Sequence, residues 1–254
     1  MKKSDDDIIV SIIMPSYNSS LFIEKSIESV LKQTFPYWEL LITDDCSTDH
    51  TYDIISKYAL YHPRIRVFKN EKNLGAGFAR NNCIKNAKGR FIAFLDSDDL
   101  WHPVKLERQI SFMKEKKCAL SYSYYQKIDE NNKLKSTIKA PKFTNSKKLL
   151  FTNVIGCLTA IYDTNQVGKV YMPLIRKRQD MALWIKIMDI SGNAYAIPEV
   201  LAYYRISSKS LSGNKYKAAK SQWNLYRNTL NLGLLNSLVY FISYAIFGFV
   251  KKFK

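Results

Sequence analysis

Three carboxylates fall within four residues at Asp96-Ser97-Asp98-Asp99, directly after the apolar run Phe91-Ile92-Ala93-Phe94-Leu95. Carboxylates crowded this closely raise one another's pKa unless a cation sits among them, and hard oxygen donors suit Mg²⁺ or Mn²⁺. An acidic turn capping a helix that begins near Pro103 is the other way to read the same stretch. Two more polar stretches follow apolar runs in the same manner, Pro15-Ser16-Tyr17-Asn18 and Asp44-Asp45-Cys46-Ser47-Thr48-Asp49, and Arg80 lies between them and the acid cluster. An aromatic ring, several carboxylates and a guanidinium together suit a base, a ribose and a metal-bound diphosphate. Farther on, Asp180 opens a segment in which Leu183, Trp184, Ile187 and Met188 form a helical stripe. An acid at a helix start is favoured by the macrodipole, and it is also where a general base can be held.

These residues need a frame that brings them to one edge. Ile8 to Met14 and Trp38 to Thr43 read as buried strands, as does Arg90 to Leu95 between Gly89 and the acids, and Arg64 to Lys69 as a shorter one. Ile23, Ile27, Val30 and Leu31 recur at helical spacing after the first strand, Ile54, Ile55, Tyr58 and Ala59 after the second, and Phe78 to Ala87 forms a helix before the central strand. Strands alternating with helices imply a mostly parallel sheet flanked by helices, an α/β fold whose ligands bind at the carboxyl ends of the strands. The polar stretches sit at those ends. There is no Gly-x-Gly-x-x-Gly and no Gly-x-x-x-x-Gly-Lys-Ser/Thr, so neither a dinucleotide fingerprint nor a P-loop is supported. Beyond residue 118 the pattern predicts strands at Ala119 to Tyr125 and Lys133 to Ile138, paired as a hairpin, and a short helix at Ser146 to Phe151.

The net charge is +17, which favours a polyanionic surface, a nucleic acid or a negatively charged substrate. From Leu201 to Lys254 there are nine Lys and Arg and no Asp or Glu. Within that region Leu234 to Val250 is largely apolar and is followed by Lys251, Lys252 and Lys254, a pattern that suits an amphipathic helix in a membrane interface. The aromatic rings Tyr240, Phe241, Tyr244, Phe247 and Phe249 are expected to face that interface; a helix packed on the catalytic domain is the alternative. Four cysteines without metal or redox spacing point to reduced thiols, and the acidic N-terminus has no secretory signal pattern.

Taken in order, Val10-Ser11-Ile12-Ile13-Met14-Pro15-Ser16-Tyr17-Asn18, Ser29-Val30-Leu31-Lys32-Gln33-Thr34, Asp44-Asp45-Cys46-Ser47-Thr48-Asp49, Ala79-Arg80-Asn81 and Asp96-Ser97-Asp98-Asp99 resemble a family 2 glycosyltransferase. The resemblance runs over residues 8–205 and implies the GT-A fold, with a nucleotide-binding half at 8–100, an acceptor half at 101–205 and a membrane-associating tail at 206–254. It implies inverting transfer of a hexose from a nucleotide sugar of the UDP-Glc or UDP-Gal type. By position, it implies that Pro15 and Tyr17 lie against the nucleoside, that Asp44 bonds the uracil and that Arg80 supports the base or phosphate side. Asp96 and Asp98 match its Asp-x-Asp motif, Asp98 holding Mn²⁺ or Mg²⁺ and Asp96 contacting the ribose or sharing the ion. Asp180 takes the place of the catalytic base, with Gln179 where relatives often carry a second acid. Arg205, and more weakly Lys209, stand where relatives clamp the diphosphate.

With the basic tail, the resemblance implies a lipid-linked saccharide acceptor for surface polysaccharide synthesis, at the cytoplasmic, inner face of the cell membrane and in peripheral contact with its anionic lipids. Two other classes are open at this point. A sugar nucleotidyltransferase would carry a glycine-rich basic loop after its first strand, where this chain has Pro15-Ser16-Tyr17-Asn18. A noncatalytic nucleic-acid-binding protein would line a groove with its basic residues, whereas here the strand ends are acidic and no nucleic-acid partner is expected.

Overall fold

A computed structural model describes residues 8–206 and 215–250 of the chain. The candidate phosphate contact Lys209, the basic flank at 251–254, the acidic N-terminus and the side chains of Phe247 and Phe249 lie outside the described residues.

Every residue of β1 (Val10–Ser16) and β2 (Trp38–Asp44) is buried, as continuous apolar runs covered on both faces require. Helix α1 (Ile23–Leu31) follows the first strand and α2 (Thr51–Tyr61) the second, and β3 (Ile65–Lys69), α3 (Ala76–Asn86) and β4 (Phe91–Phe94) complete the first half. The second half contains β5 (Leu100–Trp101), α4 (Lys105–Lys116), β6 (Leu120–Ile128), β7 (Leu134–Ile138), β8 (Phe143–Thr144) and α5 (Ser146–Phe151). It continues with β9 (Ile161–Asp163), α6 (Thr164–Val167), α7 (Gln179–Ser191), β10 (Ala194–Arg205), α8 (Lys215–Asn224) and α9 (Leu234–Val250).

The ten strands among the described residues form one sheet in the order β3-β2-β1-β4-β9-β6-β10-β5, with β7 on β6 and β8 on β10. The strands β1 to β4, β6 and β10 run the same way, which makes the sheet mostly parallel. Alternate side chains feed two cores on opposite faces. Ile13, Leu41, Ile92 and Phe94 pack with Trp184 of α7, while Ile12, Leu40, Ile42 and Ala93 pack with Ile27, Ile55 and Leu106.

The expected hairpin appears as β6 and β7, and the short helix as α5. Two central strands lie outside the expectation. Strand β9 has three residues, too few for a period, and runs antiparallel between β4 and β6. It is pinned by a forked pair, Arg90 Nε and Nη2 donating to the two Asp163 oxygens at 2.9 and 2.7 Å. Strand β10 contains Pro198, which removes a ladder donor, and its pairing with β6 slips on either side of Val200, where a bulge accommodates the ring.

Gly89 opens β4 where its backbone meets β1. A Cβ there would sit 2.7 Å from the Ser11 amide nitrogen and 2.8 Å from the Val10 carbonyl carbon, both main-chain atoms that cannot step aside. Gly89→Ala is expected to lower stability by about 2 kcal/mol or more, read as a drop in the denaturation midpoint. An unchanged midpoint would mean that the β1–β4 junction is looser than described.

The C-terminal helices dock on the second half. Tyr226 is buried and donates its hydroxyl to the Leu150 carbonyl at 2.5 Å, Tyr240 meets Phe151 edge-on at 4.9 Å, and Phe241 meets Trp223 at 5.5 Å. Tyr244 lies beneath the Arg178 guanidinium at 5.2 Å. The described aromatic rings of α9 therefore face protein, where they find ring and cation partners, and not the outside as expected from the sequence. The outward row is aliphatic, with Leu235, Leu238, Val239, Ile242 and Ile246 exposed. Among the described residues no helix is long and apolar enough to cross a membrane.

Candidate active site

A cavity of about 600 Å³ opens at the carboxyl ends of β1, β2 and β4, facing the start of α7. Of the residues singled out in the sequence, Pro15, Tyr17, Arg80, Asp96, Asp98 and Asp180 line it. Tyr17 is half exposed at the mouth, at 48% of its free surface. A ring held open at a strand end offers a stacking face for a base.

The other two do not reach the cavity. Asp44, the last residue of β2, is fully buried and accepts bonds from the Ser47 amide at 3.0 Å, the Ser47 hydroxyl and the Ser16 hydroxyl at 3.4 Å. Its carboxylate shapes the turn after the strand. Asp45, one residue on and facing the other way, lines the cavity and accepts from Asn70 Nδ2 at 2.8 Å, Leu74 N at 2.9 Å and Gly75 N at 2.7 Å. Arg205 lies behind the acid loop. Its amide donates to Asp99 Oδ1 at 2.8 Å, its Nε to the Asp98 carbonyl at 2.7 Å, and its Nη1 to the Asp129 and Glu130 carbonyls at 3.0 and 3.2 Å. At 2% exposure it latches the loop and the β6–β7 turn together.

The loop is held from the other side as well. Ser26 Oγ donates to the Ser97 carbonyl at 2.9 Å, and the Ser19 and Ser97 hydroxyls lie 2.7 Å apart. Fixed in this way, Asp96 takes Arg80 Nη2 at 2.5 Å. Burial alone would lower the Arg80 pKa, but the Asp96 carboxylate overrides it and holds the guanidinium firmly charged. Burial, and then the charge of Asp96, push Asp98 up to about 6. Burial and the charges of Asp98 and Asp96 push the enclosed Asp99 well above its ordinary value, and its Oδ2 has no partner among the described residues.

No group of three or more His, Cys, Asp or Glu among the described residues forms a ready-made metal cage. Two carboxylates facing a cavity, one of them destabilised as an anion by its surroundings, nevertheless fit a divalent cation. Mg²⁺ and Mn²⁺ sites of this kind are completed by substrate phosphate oxygens and water.

Asp180 is placed by the entry to α7. Arg178 adopts a left-handed backbone, φ 70°, and turns the chain into the helix. With its amide oriented to satisfy its neighbours, Gln179 accepts from Arg80 Nη1 and Gly77 N, each at 3.2 Å, and donates to the Ile175 carbonyl at 2.8 Å. The neutral amide thus ties the helix start to the Arg80–Asp96 pair. Asp180 then projects into the cavity, with Asn153 Nδ2 at 3.5 Å from its Oδ2. Sequence reasoning gave no role to Asp45 or to the wall formed by Arg176, Lys177 and Arg178, and noted Gln179 only as standing in place of an acid. The doubled acid at 44–45 and the basic run before Asp180 were the available signals.

The family model "Glycosyl transferase family 2" matches residues 11–169. TuaG of Bacillus subtilis, a glycosyltransferase assigned to teichuronic acid biosynthesis, is 43% identical over 93% of this chain and 94% of its own. WfgD of Escherichia coli, named a UDP-Glc:α-D-GlcNAc-diphosphoundecaprenol β-1,3-glucosyltransferase, is 40% identical over 97% of this chain and 96% of its own. Among solved structures, Staphylococcus aureus TarS 1-349 in complex with UDP-GlcNAc superposes with a TM-score of 0.72 at 22% identity, over 94% of this chain and 72% of that one. Mannosyltransferase PcManGT of Pyrobaculum calidifontis, in complex with GDP-Man and Mn²⁺, superposes at 0.67 with 17% identity, over 91% and 69%. These structures share the GT-A fold with it, and the chain belongs to glycosyl transferase family 2 as a glycosyltransferase.

Proposed function

We propose that the enzyme transfers a hexose from a UDP-sugar to a lipid-linked saccharide in the synthesis of a cell-surface polysaccharide, inverting the anomeric centre by single displacement. The observation that carries this reading is that Asp180, from the start of α7, and the Asp96–Asp98 pair, from the loop after β4, line one cavity. A single displacement needs a base on the acceptor hydroxyl and a stabilised leaving group on the far side of the anomeric carbon. The names of WfgD and of a second Escherichia coli relative, WfaP, specify UDP-Glc and a GlcNAc-diphosphoundecaprenol acceptor, which supports the donor and acceptor classes.

In this mechanism Tyr17 stacks on the base and Pro15 walls the nucleoside. Asp96 and Asp98 would hold Mn²⁺ or Mg²⁺, which would supply positive charge against the departing diphosphate. Arg80 keeps Asp96 in place and adds a fixed positive charge beside the leaving group. Asp180 accepts the proton of the acceptor hydroxyl as that oxygen attacks. Asp44 and Arg205 shape the turn and the acid loop on which these groups stand.

Calorimetric titration with UDP, with and without Mn²⁺, followed by transfer from UDP-Glc and UDP-Gal to an N-acetylglucosaminyl diphosphate lipid, tests the reading. Cation-dependent binding and a product of inverted configuration are expected; a retained configuration or the absence of UDP binding would reject it.

Membrane contact is part of the same proposal. The exposed aliphatic row of α9, on a tail rich in Lys and Arg, suits the interface of an anionic bilayer. Ile242→Asp is expected to reduce sedimentation with phosphatidylglycerol vesicles by about tenfold, in line with the price of a charge on a lipid-facing apolar surface. Equal sedimentation of variant and wild type would remove α9 from the contact.

A further inference from the structure

A second cavity adjoins the first. It is lined by Ile175, Arg176, Lys177, Lys220, Ser221 and Asn224. Arg176 and Lys177 line both cavities, and α8, which supplies Lys220 and Asn224 here, also supplies Ala218 to the first. The two spaces therefore lie side by side, with Arg176 and Lys177 as a shared wall and α8 contributing to each. Three of the six lining residues are cationic and none is acidic. Lys220 is exposed, and Asn224 offers a neutral donor beside it.

We infer that this second cavity holds the diphosphate of the lipid-linked acceptor. The inference rests on the proposed function and deepens it. A saccharide whose attacking hydroxyl meets Asp180 must direct its own anomeric substituent away from the donor. A diphosphate at that position carries negative charge that needs cations and hydrogen-bond donors, and charge-assisted contacts of this kind are the strong ones. Lysine suits this as a mobile point charge, and the forked guanidinium of Arg176, steadied by Asn73 Oδ1 at 2.9 Å, suits bidentate contact. Helix α8 then leads through residues 225–233 to α9, whose aliphatic row faces outward, so anion site and apolar surface follow one another along the chain.

The test compares two probes on the full chain saturated with UDP and Mn²⁺: N-acetylglucosaminyl diphosphate carrying an undecyl chain, and the undecyl N-acetylglucosaminide that lacks the diphosphate. Binding is read by calorimetry, so the site is scored whether or not sugar is transferred. Wild type is expected to prefer the diphosphate probe by about tenfold or more, and Lys220→Glu and Asn224→Asp are each expected to reduce that preference. Titration with UDP alone and the thermal midpoint should not change. Equal binding of both probes by wild type, or full preference in both variants, would overturn the inference. So would weakened binding of Lys220→Glu to acceptor-free phosphatidylglycerol vesicles with the probe preference intact, since the cavity would then serve lipid headgroups. Absence of transfer to either probe counts against the proposed function alone.

Discussion

Asp180→Asn is expected to lower kcat by about 10²- to 10⁴-fold, the usual contribution of a positioned general base. The substitution keeps the size of the side chain and an acceptor oxygen for Asn153, which lies 3.5 Å from Asp180 Oδ2, so the start of α7 should be undisturbed. UDP affinity should hold, because in the proposed mechanism Asp180 meets the acceptor hydroxyl and makes no contact with the nucleotide. A loss confined to kcat, with unchanged UDP titration, identifies Asp180 as the base. A loss of UDP binding of the same size would instead make it a donor contact, and retained turnover would remove it from the chemistry.

Asp98→Asn is expected to abolish the effect of Mn²⁺ on UDP binding, a loss on the order of a hundredfold in the affinity measured with the ion present. The same change should make the ligand-free protein more stable near neutral pH. Burial and Asp96 raise the Asp98 pKa to about 6, so its ionised form is less favourable in the folded chain than in the unfolded one. For an acid raised in this way, stability falls as pH climbs from the unfolded value toward 6 and stays reduced above it. An asparagine is free of that penalty. The gain in thermal midpoint should therefore be present at pH 7.5 and shrink as the pH falls toward 4, where the wild-type carboxyl is protonated in both states. Mn²⁺ with UDP should reverse the order by stabilising only the wild type. A variant less stable than wild type at pH 7.5 would show that Asp98 is satisfied by protein groups and is not waiting for a cation.

The first half of the fold is legible because its strands are long apolar runs that end in polar residues, and its helices recur between them. Strand β9 could not be read, since three residues carry no period and its place is set by the distant partners Phe91 and Leu120. Pro198 disguised β10, because a proline ordinarily argues against a central strand and only the bulge beside it resolves the conflict. In the site, Pro15, Tyr17, Arg80, Asp96, Asp98 and Asp180 stood out by type and order, whereas Asp45 and the wall of Arg176, Lys177 and Arg178 did not. Arg205 was placed wrongly relative to the cavity for a definite reason: its bonds run to main-chain carbonyls, which every residue has and no sequence pattern marks. Asp44 and Asp45 are chemically alike, and only the alternation of the strand decides which of them faces inward. In α9 the aromatic residues found partners on α5, α8 and Arg178, contacts that the helix's own periodicity does not encode.

The latch at Arg205 also sets an order of assembly. The acid loop it closes lies 106 residues earlier in the chain. A nascent chain can lay down β1 to β4 while still on the ribosome, yet its Asp98 carbonyl and Asp99 carboxylate have no partner until β10 has been made and has paired with β6. Such long-range closure is slow compared with local helix formation. The loop after β4 is therefore completed only by β10, and a truncated chain that ends before Arg205 would emerge with the carboxylates present but their loop unlocked. The first four strands and β10 thus mature as a single unit, and a partial product of synthesis carries its acid loop unfinished at the cavity.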